Sequence, residues 1–230
     1  MTPLRSLGSQ DISPYDDVFC STGADALYVY PTFQSNGERG IFFGGSPSLS
    51  RDLIQYITIA STGNATDFGN LTVARERMMG GSCNGIRGVL WGDTDTSPND
   101  CNVIDYITVD TTGNATDFGD PAMRREAHAA LGNLTRGLCG GGYGPSAPNG
   151  TNVIEYITIA TTGNSQDFGD LTASKSSLGA LASDTRGVFG GGYSNLNVIE
   201  YVTIATLGNG TDFGDLLQIN EWPSGTSGDA

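Results

Sequence analysis

The stretch from Asn152 to Gly169, N-V-I-E-Y-I-T-I-A-T-T-G-N-S-Q-D-F-G, occurs four times in the chain with small changes. The other copies begin at Asp52, Asn102 and Asn197. Equivalent tyrosines follow at spacings of 50, 50 and 45 residues, at Tyr56, Tyr106, Tyr156 and Tyr201. A repeat of this length is typical of solenoids, propellers and arrays, in which neighbouring units bury a shared core. The period therefore decides the fold class.

Each copy begins with a β-branched and aromatic run, such as Val153 to Ile159, that is too short and too closely bounded by glycine to favour a helix. The run predicts a strand, and its apolar residues on both faces indicate that the strand lies between two neighbouring sheets. Gly163 and Asn164 then tolerate positive φ at a turn, and a second short strand containing Phe168 follows. The unit therefore contains a hairpin.

A second motif precedes each hairpin, with arginine and glycine, then apolar residues, then further glycines. Its four copies are Arg39 to Gly45, Arg87 to Gly92, Arg136 to Gly142 and Arg186 to Gly192. A further short segment, such as Arg125 to Leu131, comes before it. Four short strands in each repeat, separated by turn signals, are typical of a propeller blade.

We therefore predict an all-β fold, a β-propeller of about four four-stranded blades. The approximate blade boundaries are 24–72, 73–120, 121–172 and 173–217, with an N-terminal arm at 1–23 and a C-terminal tail at 218–230. Four blades are the minimum for a closed ring. Three arrangements follow: a small closed ring of four blades, a larger ring that the arm and the tail complete, or a ring assembled from several chains.

The composition excludes several kinds of partner. The net charge is −14 and the isoelectric point is near 4.1, so the surface repels phosphate backbones and anionic lipids, and we expect no binding to nucleic acid. The first residues lack the apolar core of a signal peptide, and no apolar run approaches the length of a membrane span. We therefore expect no signal peptide and no membrane insertion.

No catalytic or metal-binding constellation stands out. His128 is the only histidine, and the cysteines lack the spacing of a zinc site, so we expect no metal, no cofactor and no catalytic residue. Cys83 and Cys101 lie in neighbouring loops of one predicted blade, where they either form a disulfide or remain buried thiols. The repeated glycines are interpreted as positions of close backbone approach, because no helix and no P-loop lysine accompany them.

Two polar side chains recur in every repeat. They are the arginines Arg39, Arg87, Arg136 and Arg186 and the aspartates Asp67, Asp117, Asp167 and Asp212. A guanidinium presents a fork that matches a carboxylate, so these residues predict either a partly buried ion pair in each blade or an aspartate that caps a turn. Both interpretations are structural, and neither requires a ligand.

Three segments together resemble the kelch repeat: R-R-E-A-H-A-A from Arg124, T-R-G-L-C-G-G-G-Y from Thr135 and N-V-I-E-Y-I-T-I from Asn152. Phenylalanines take the place of the tryptophan that the family usually has, at Phe68, Phe118, Phe168 and Phe213. The turn unit from Thr158 to Thr172 is similar to kelch-like repeats in virion structural proteins of marine tailed bacteriophages that infect cyanobacteria and other ocean bacteria. Some kelch-type propellers are copper oxidases, but a single histidine cannot supply that ligand set.

The resemblance implies a non-enzymatic structural protein of a tailed bacteriophage virion, in the tail, a fibre or the head decoration. Its partners would be other virion proteins and further copies of itself, and it would be located on the particle. The alternative is a carbohydrate-binding module that acts as a host-receptor adhesin. Tyr143 and Tyr193 follow the glycine runs and are candidates to stack on a glycan of the host surface or to contact a partner.

Overall fold

The computed structural model describes residues 39–44, 51–75, 80–92, 102–193 and 196–227. Fifteen β-strands and no helix occur within these ranges. The predicted arm at 1–23, the start of the first predicted blade, and Cys101 with its proposed pairing to Cys83 lie outside the described residues.

The strands are short and follow one another closely along the chain. They are β1 (Arg39–Phe43), β2 (Arg51–Thr58), β3 (Thr66–Arg75), β4 (Gly81–Cys83), β5 (Arg87–Trp91), β6 (Ile104–Thr108), β7 (Thr116–Gly119), β8 (Ala129–Gly132), β9 (Arg136–Gly140), β10 (Thr151–Thr158), β11 (Gln166–Lys175), β12 (Gly179–Ala182), β13 (Arg186–Gly190), β14 (Val198–Thr203) and β15 (Thr211–Asp215).

These strands form four antiparallel sheets, each made of strands that are consecutive in the chain. The first sheet has the order β1-β2-β3, and the other three have the orders β4-β5-β6-β7, β8-β9-β10-β11 and β12-β13-β14-β15. The prediction of an all-β fold is confirmed. In each sheet the repeated hairpin provides the last two strands, and a register shift interrupts their pairing just before the residue that precedes the repeated tyrosine.

The hydrophobic core consists of layers between consecutive sheets. One cluster joins the first sheet to the second through residues such as Ile54 and Ile107. A second cluster joins the second sheet to the third, with Trp91 and Ile157 among its members. The third cluster joins the third sheet to the fourth and includes Phe189. The apolar residues on both faces of the hairpin strand therefore serve two different layers.

A glycine at the fourth residue of the last strand of a sheet allows the next sheet to approach closely. Gly119 has φ of 144°, and a Cβ atom placed on it would lie 2.5 Å from the carbonyl carbon of Gly163 in the following sheet. Gly163 in turn donates a backbone hydrogen bond of 2.7 Å to the carbonyl oxygen of Phe118. Gly69 and Gly169 make the equivalent approaches to Gly113 and Gly208. The backbone itself thus links consecutive sheets.

We expect Gly119→Ala to destabilise the fold more than Gly163→Ala. Both glycines have positive φ, but an added Cβ at Gly163 meets no atom within 4 Å, whereas one at Gly119 collides with backbone. The collision should lower the free energy of unfolding by about 1–3 kcal/mol beyond the backbone strain that the two variants share. Urea denaturation of both variants measures the difference. Equal destabilisation would contradict the close approach.

Candidate functional site: the junctions between sheets

The same set of contacts recurs wherever one sheet meets the next, and we call each set a junction. The first junction joins Phe68–Arg75 to Asp105–Ala115, the second joins Phe118–Arg125 to Glu155–Ser165, and the third joins Phe168–Lys175 to Glu200–Gly210. In each junction the last strand of one sheet contacts the hairpin of the following sheet.

An asparagine side chain in the hairpin turn extends the backbone contact. Asn164 Oδ1 accepts a hydrogen bond of 3.0 Å from the backbone N–H of Asp120 in the preceding sheet. Asn114 and Asn209 accept from Asn70 and Asp170 at 3.1 and 3.0 Å. Each of these bonds joins a backbone N–H at the end of one sheet to the hairpin turn of the following sheet. The turn asparagine is therefore a contact residue as well as a turn former.

A buried ion pair lies at the centre of each junction. The pairs are Arg75–Asp105 at 2.5 Å, Arg125–Glu155 at 3.2 Å, and Lys175–Glu200. Their side chains are at most 2% exposed. Arg75 and Lys175 are the last residues of β3 and β11, Arg125 lies in the segment between β7 and β8, and each carboxylate belongs to the following sheet.

Thr72 and Thr172, in the last strand of the preceding sheet, and Ala122, in the segment after such a strand, also donate hydrogen bonds to these carboxylates. Asp105 accepts hydrogen bonds from the Thr72 hydroxyl at 2.7 Å and from the Thr72 N–H at 3.1 Å. Glu155 accepts from Ala122 N–H at 3.2 Å, and Glu200 from Thr172 N–H at 2.6 Å. Because a buried charge is tolerated only when it is paired and hydrogen-bonded, these carboxylates require the neighbouring sheet to be correctly placed.

The sequence-predicted arginines contact rings and carbonyl groups. Each guanidinium lies over the tyrosine ring of its own sheet, at 4.6, 4.2, 4.8 and 4.5 Å for Arg39, Arg87, Arg136 and Arg186. Arg39, Arg87 and Arg136 also donate hydrogen bonds to carbonyl oxygens in the next sheet, those of Val109, Ile159 and Ile204, at 2.9, 2.9 and 2.7 Å. These arginines therefore support the junctions from one side.

The sequence-predicted aspartates cap the β-bulges. Asp67, Asp117, Asp167 and Asp212 are exposed. Asp67, Asp117 and Asp212 accept hydrogen bonds from the glycine N–H two residues later, at 3.1, 2.9 and 3.1 Å. The contacts of both residue sets thus differ from the alternative that paired them as ions, and the three aspartates bond a glycine N–H within their own strand.

The two candidate contact tyrosines differ in exposure. Tyr193 is 59% exposed, whereas Tyr143 is half-buried and its backbone pairs with that of Glu126. Each follows a glycine pair at the end of a strand, Gly141–Gly142 or Gly191–Gly192, in which both glycines have positive φ. Tyr193 is thus the better placed of the two to meet a ligand or a partner.

His128 is buried beside the second junction. Burial, with a smaller effect of the Arg125 guanidinium, lowers the pKa of His128 from 6.5 to about 3, while the backbone of Arg125 acts in the opposite direction. The imidazole is therefore neutral in the folded protein at pH 7.

The part of the chain that the structure describes contains no group of three or more His, Cys, Asp or Glu side chains that could hold a metal ion. No helix in that part is long and apolar enough to cross a membrane. The recurring polar residues are instead used between sheets or within turns.

Comparison with known protein families finds no matching family model, and no curated protein matches the chain.

We expect Asp105→Asn to lower the free energy of unfolding by about 3–5 kcal/mol, because it leaves the buried Arg75 guanidinium without its counter-charge. Asp117→Asn is the matched control, since Asp117 lies opposite Asp105 in the same pair of strands but is exposed. The control should change stability by less than about 0.5 kcal/mol. Denaturant unfolding measures both changes in the free energy of unfolding, from the shift of the midpoint at an unchanged m-value. Similar losses in the two variants would argue against the buried pair as the stabilising contact.

We expect acid to destabilise the protein through His128. The folded-state pKa lies below the unfolded value of 6.5, so the contribution to stability is present above pH 6.5 and is lost as the pH falls toward 3. Between pH 7 and pH 5 the loss is about 2 kcal/mol. His128→Leu removes this part of the pH dependence, whereas the carboxylates act on both proteins. The melting temperatures of wild type and variant are measured between pH 7 and pH 5. An equal change in both proteins would contradict the assignment.

Proposed function

We propose that this chain is a non-enzymatic structural protein of a tailed bacteriophage virion, a component of the tail, a fibre or the head decoration. In this proposal a kelch-like propeller serves as the platform for assembly and interaction. One observation carries the proposal: the recurring polar residues make contacts inside the fold. The ion pairs of the junctions connect consecutive sheets, and the aspartates bond a glycine N–H at the β-bulges.

The junctions support a rigid platform. Each combines an apolar layer, a buried ion pair and backbone hydrogen bonds across the sheet boundary. A local opening would expose the apolar layer and break the backbone hydrogen bonds between sheets, which makes partial unfolding costly. A protein with these features is suited to hold surface loops in fixed relative positions.

The kelch-like propeller is proposed from the sheet architecture together with the sequence resemblance. Successive four-stranded antiparallel sheets that pack in chain order are the building units of propellers. The glycine pairs that follow strands β9 and β13 occupy the place of the double glycine in the kelch pattern. The assignment to a virion depends on the resemblance of the repeat to phage proteins, and other virion proteins are the proposed partners.

Mass spectrometry of purified virions tests this function. Peptides of the chain should be present in particles from the phage that encodes it, after density-gradient purification and protease treatment that removes adhering host protein. Quantification against the major capsid protein should give many copies per particle. Absence from the particle, with the chain present in the infected-cell lysate, would contradict the proposal.

A second candidate function is a carbohydrate-binding adhesin for the host surface, and the exposed ring of Tyr193 favours it. If this function is correct, Tyr193→Ala should abolish binding on a glycan array. Phe42→Ala is the control, because Phe42 is similarly exposed, at 58%, on a different strand. An array without signal for the wild-type protein would exclude this function for the glycans tested.

A further inference from the structure

The last sheet presents one half of a junction, and no other sheet among the described residues covers it. Phe213 is 54% exposed, whereas its equivalents Phe68, Phe118 and Phe168 are 2–3% exposed under the following sheet. A Cβ atom added to Gly214 would meet no atom within 4 Å, although the same position in the other sheets collides with the next backbone. The fourth sheet thus has the shape of a junction surface without its partner.

The first sheet presents the complementary half. Ala65 in its hairpin turn is exposed, whereas Ala115 and Ser165 at the same position are buried against the preceding sheet. Ile57 is half-buried, whereas its equivalent Ile157 is 2% exposed. The hairpin of the first sheet has the sequence of the other hairpins but no preceding sheet among the described residues.

The ion pair of the internal junctions is replaced at these two surfaces by two amides. Asn220 follows Phe213 by seven residues, the same spacing at which a buried base follows the phenylalanine in the other sheets. Gln55 precedes Tyr56, at the position where the other sheets carry a buried carboxylate. Both positions are uncharged, so contact between them buries no lone charge and still allows an amide–amide hydrogen bond.

Arg186 adds a fourth element to the last sheet. It lies over Tyr201 at 4.5 Å like the other repeated arginines, but it is exposed. Arg136, its equivalent one sheet earlier, donates to the carbonyl oxygen of Ile204 in the next sheet. The equivalent acceptor in the first sheet is the carbonyl oxygen of Ile59, which lies three residues after Tyr56 as Ile204 lies three after Tyr201.

We propose that a second copy of this chain covers these surfaces, with the last sheet of one copy packed on the first sheet of the other as in an internal junction. Gly63 N–H would donate to the carbonyl of Phe213, Asn64 Oδ1 would accept from Asp215 N–H, and Gln55 would contact Asn220. Repeat proteins normally end in repeats with a polar outer face. Here the end surfaces keep the apolar and hydrogen-bonding groups of a junction, which a second copy satisfies in full.

The number of sheets sets the expected stoichiometry. A head-to-tail contact produces a closed ring or an open filament. Closed propellers have about four to eight blades, so two chains of four sheets fit one closed ring and three do not. Closure within one chain would cover both end surfaces, and both are exposed. The inference does not depend on the virion assignment, because it concerns contacts that the purified protein makes by itself.

Cysteine cross-linking between differently labelled chains tests the contact. Asn64→Cys and Asp215→Cys are made in separate chains, mixed and oxidised, and the products are separated on a non-reducing gel. We expect a cross-linked species of two chains in the mixture and none with either variant alone. Asp120→Cys with Asn164→Cys in one chain is the positive control, since these residues form the same contact inside the chain at 3.0 Å.

The outcomes separate the possible occupants of the end surfaces. A single chain carrying both Asn64→Cys and Asp215→Cys that cross-links within itself, with no product in the mixture, would mean closure within the chain and overturn the proposal. No cross-link in either format, with the positive control formed, would mean that another segment or protein covers the surfaces, and would also overturn it. The virion experiment is unaffected by either result.

Introducing opposite charges at Gln55 and Asn220 gives a second test, which is specific to the contact between these two residues. Gln55→Glu or Asn220→Lys alone should weaken the dimer by about 100-fold, because each buries one lone charge. The two substitutions together recreate the Lys175–Glu200 pair of the third junction and should restore association. Light scattering gives the mass, expected to be twice the 24.0 kDa of the chain. Asn149→Lys, in an exposed turn, is the control and should leave the dimer intact. A monomeric wild-type protein, or failure of the double variant to recover, would overturn the proposal.

Discussion

The buried carboxylate in the hairpins of the second, third and fourth sheets is the interaction on which the stacking of the sheets depends. An apolar layer alone holds two sheets together in many registers, because dispersion and hydrophobic burial have little directional preference. A carboxylate that is 0% exposed has one acceptable position, the one in which the preceding sheet supplies its base and its amide or hydroxyl donors. The ion pairs therefore specify the alignment of the sheets, while the apolar layers supply most of the driving force.

The close glycine contacts and the asparagine bonds depend on the same alignment. Gly119 approaches Gly163 within van der Waals contact only when the hairpin turn lies directly over the last strand of the preceding sheet. In that position Asn164 reaches the N–H of Asp120, and Gly163 reaches the carbonyl of Phe118. One geometry satisfies three kinds of interaction, and this agreement explains why the same sequence recurs with so few changes.

The strands, their hairpins and the all-β class could be predicted from the sequence, because β-branched runs and glycine turns act locally. The partners of the charged residues could not. Asp167 and its equivalents recur in every repeat, and this recurrence suggested that they pair with the arginines. They are exposed instead, and those with a hydrogen bond, such as Asp117, accept it from the glycine N–H two residues later. The buried pairs differ in residue type from junction to junction, as Arg75–Asp105, Arg125–Glu155 and Lys175–Glu200. In the sequence these pairs can be recognised only by the sign of the charge at a fixed spacing, because the residue type at each position changes from repeat to repeat.

Chain length varies only where the junction places no demand on it. From each repeated tyrosine to the arginine of the next sheet the chain takes 31, 30 and 30 residues, and this segment contains one half of a junction. From each arginine to the tyrosine of its own sheet it takes 17, 19, 20 and 15 residues. That second interval holds the loop after the glycine pairs, where Tyr143 and Tyr193 lie. In the third sheet, where the structure describes this loop completely, it joins β9 to β10 and carries Tyr143. The junctions thus fix the alignment of consecutive sheets, whereas the interval between the repeated arginine and the repeated tyrosine differs in length from sheet to sheet.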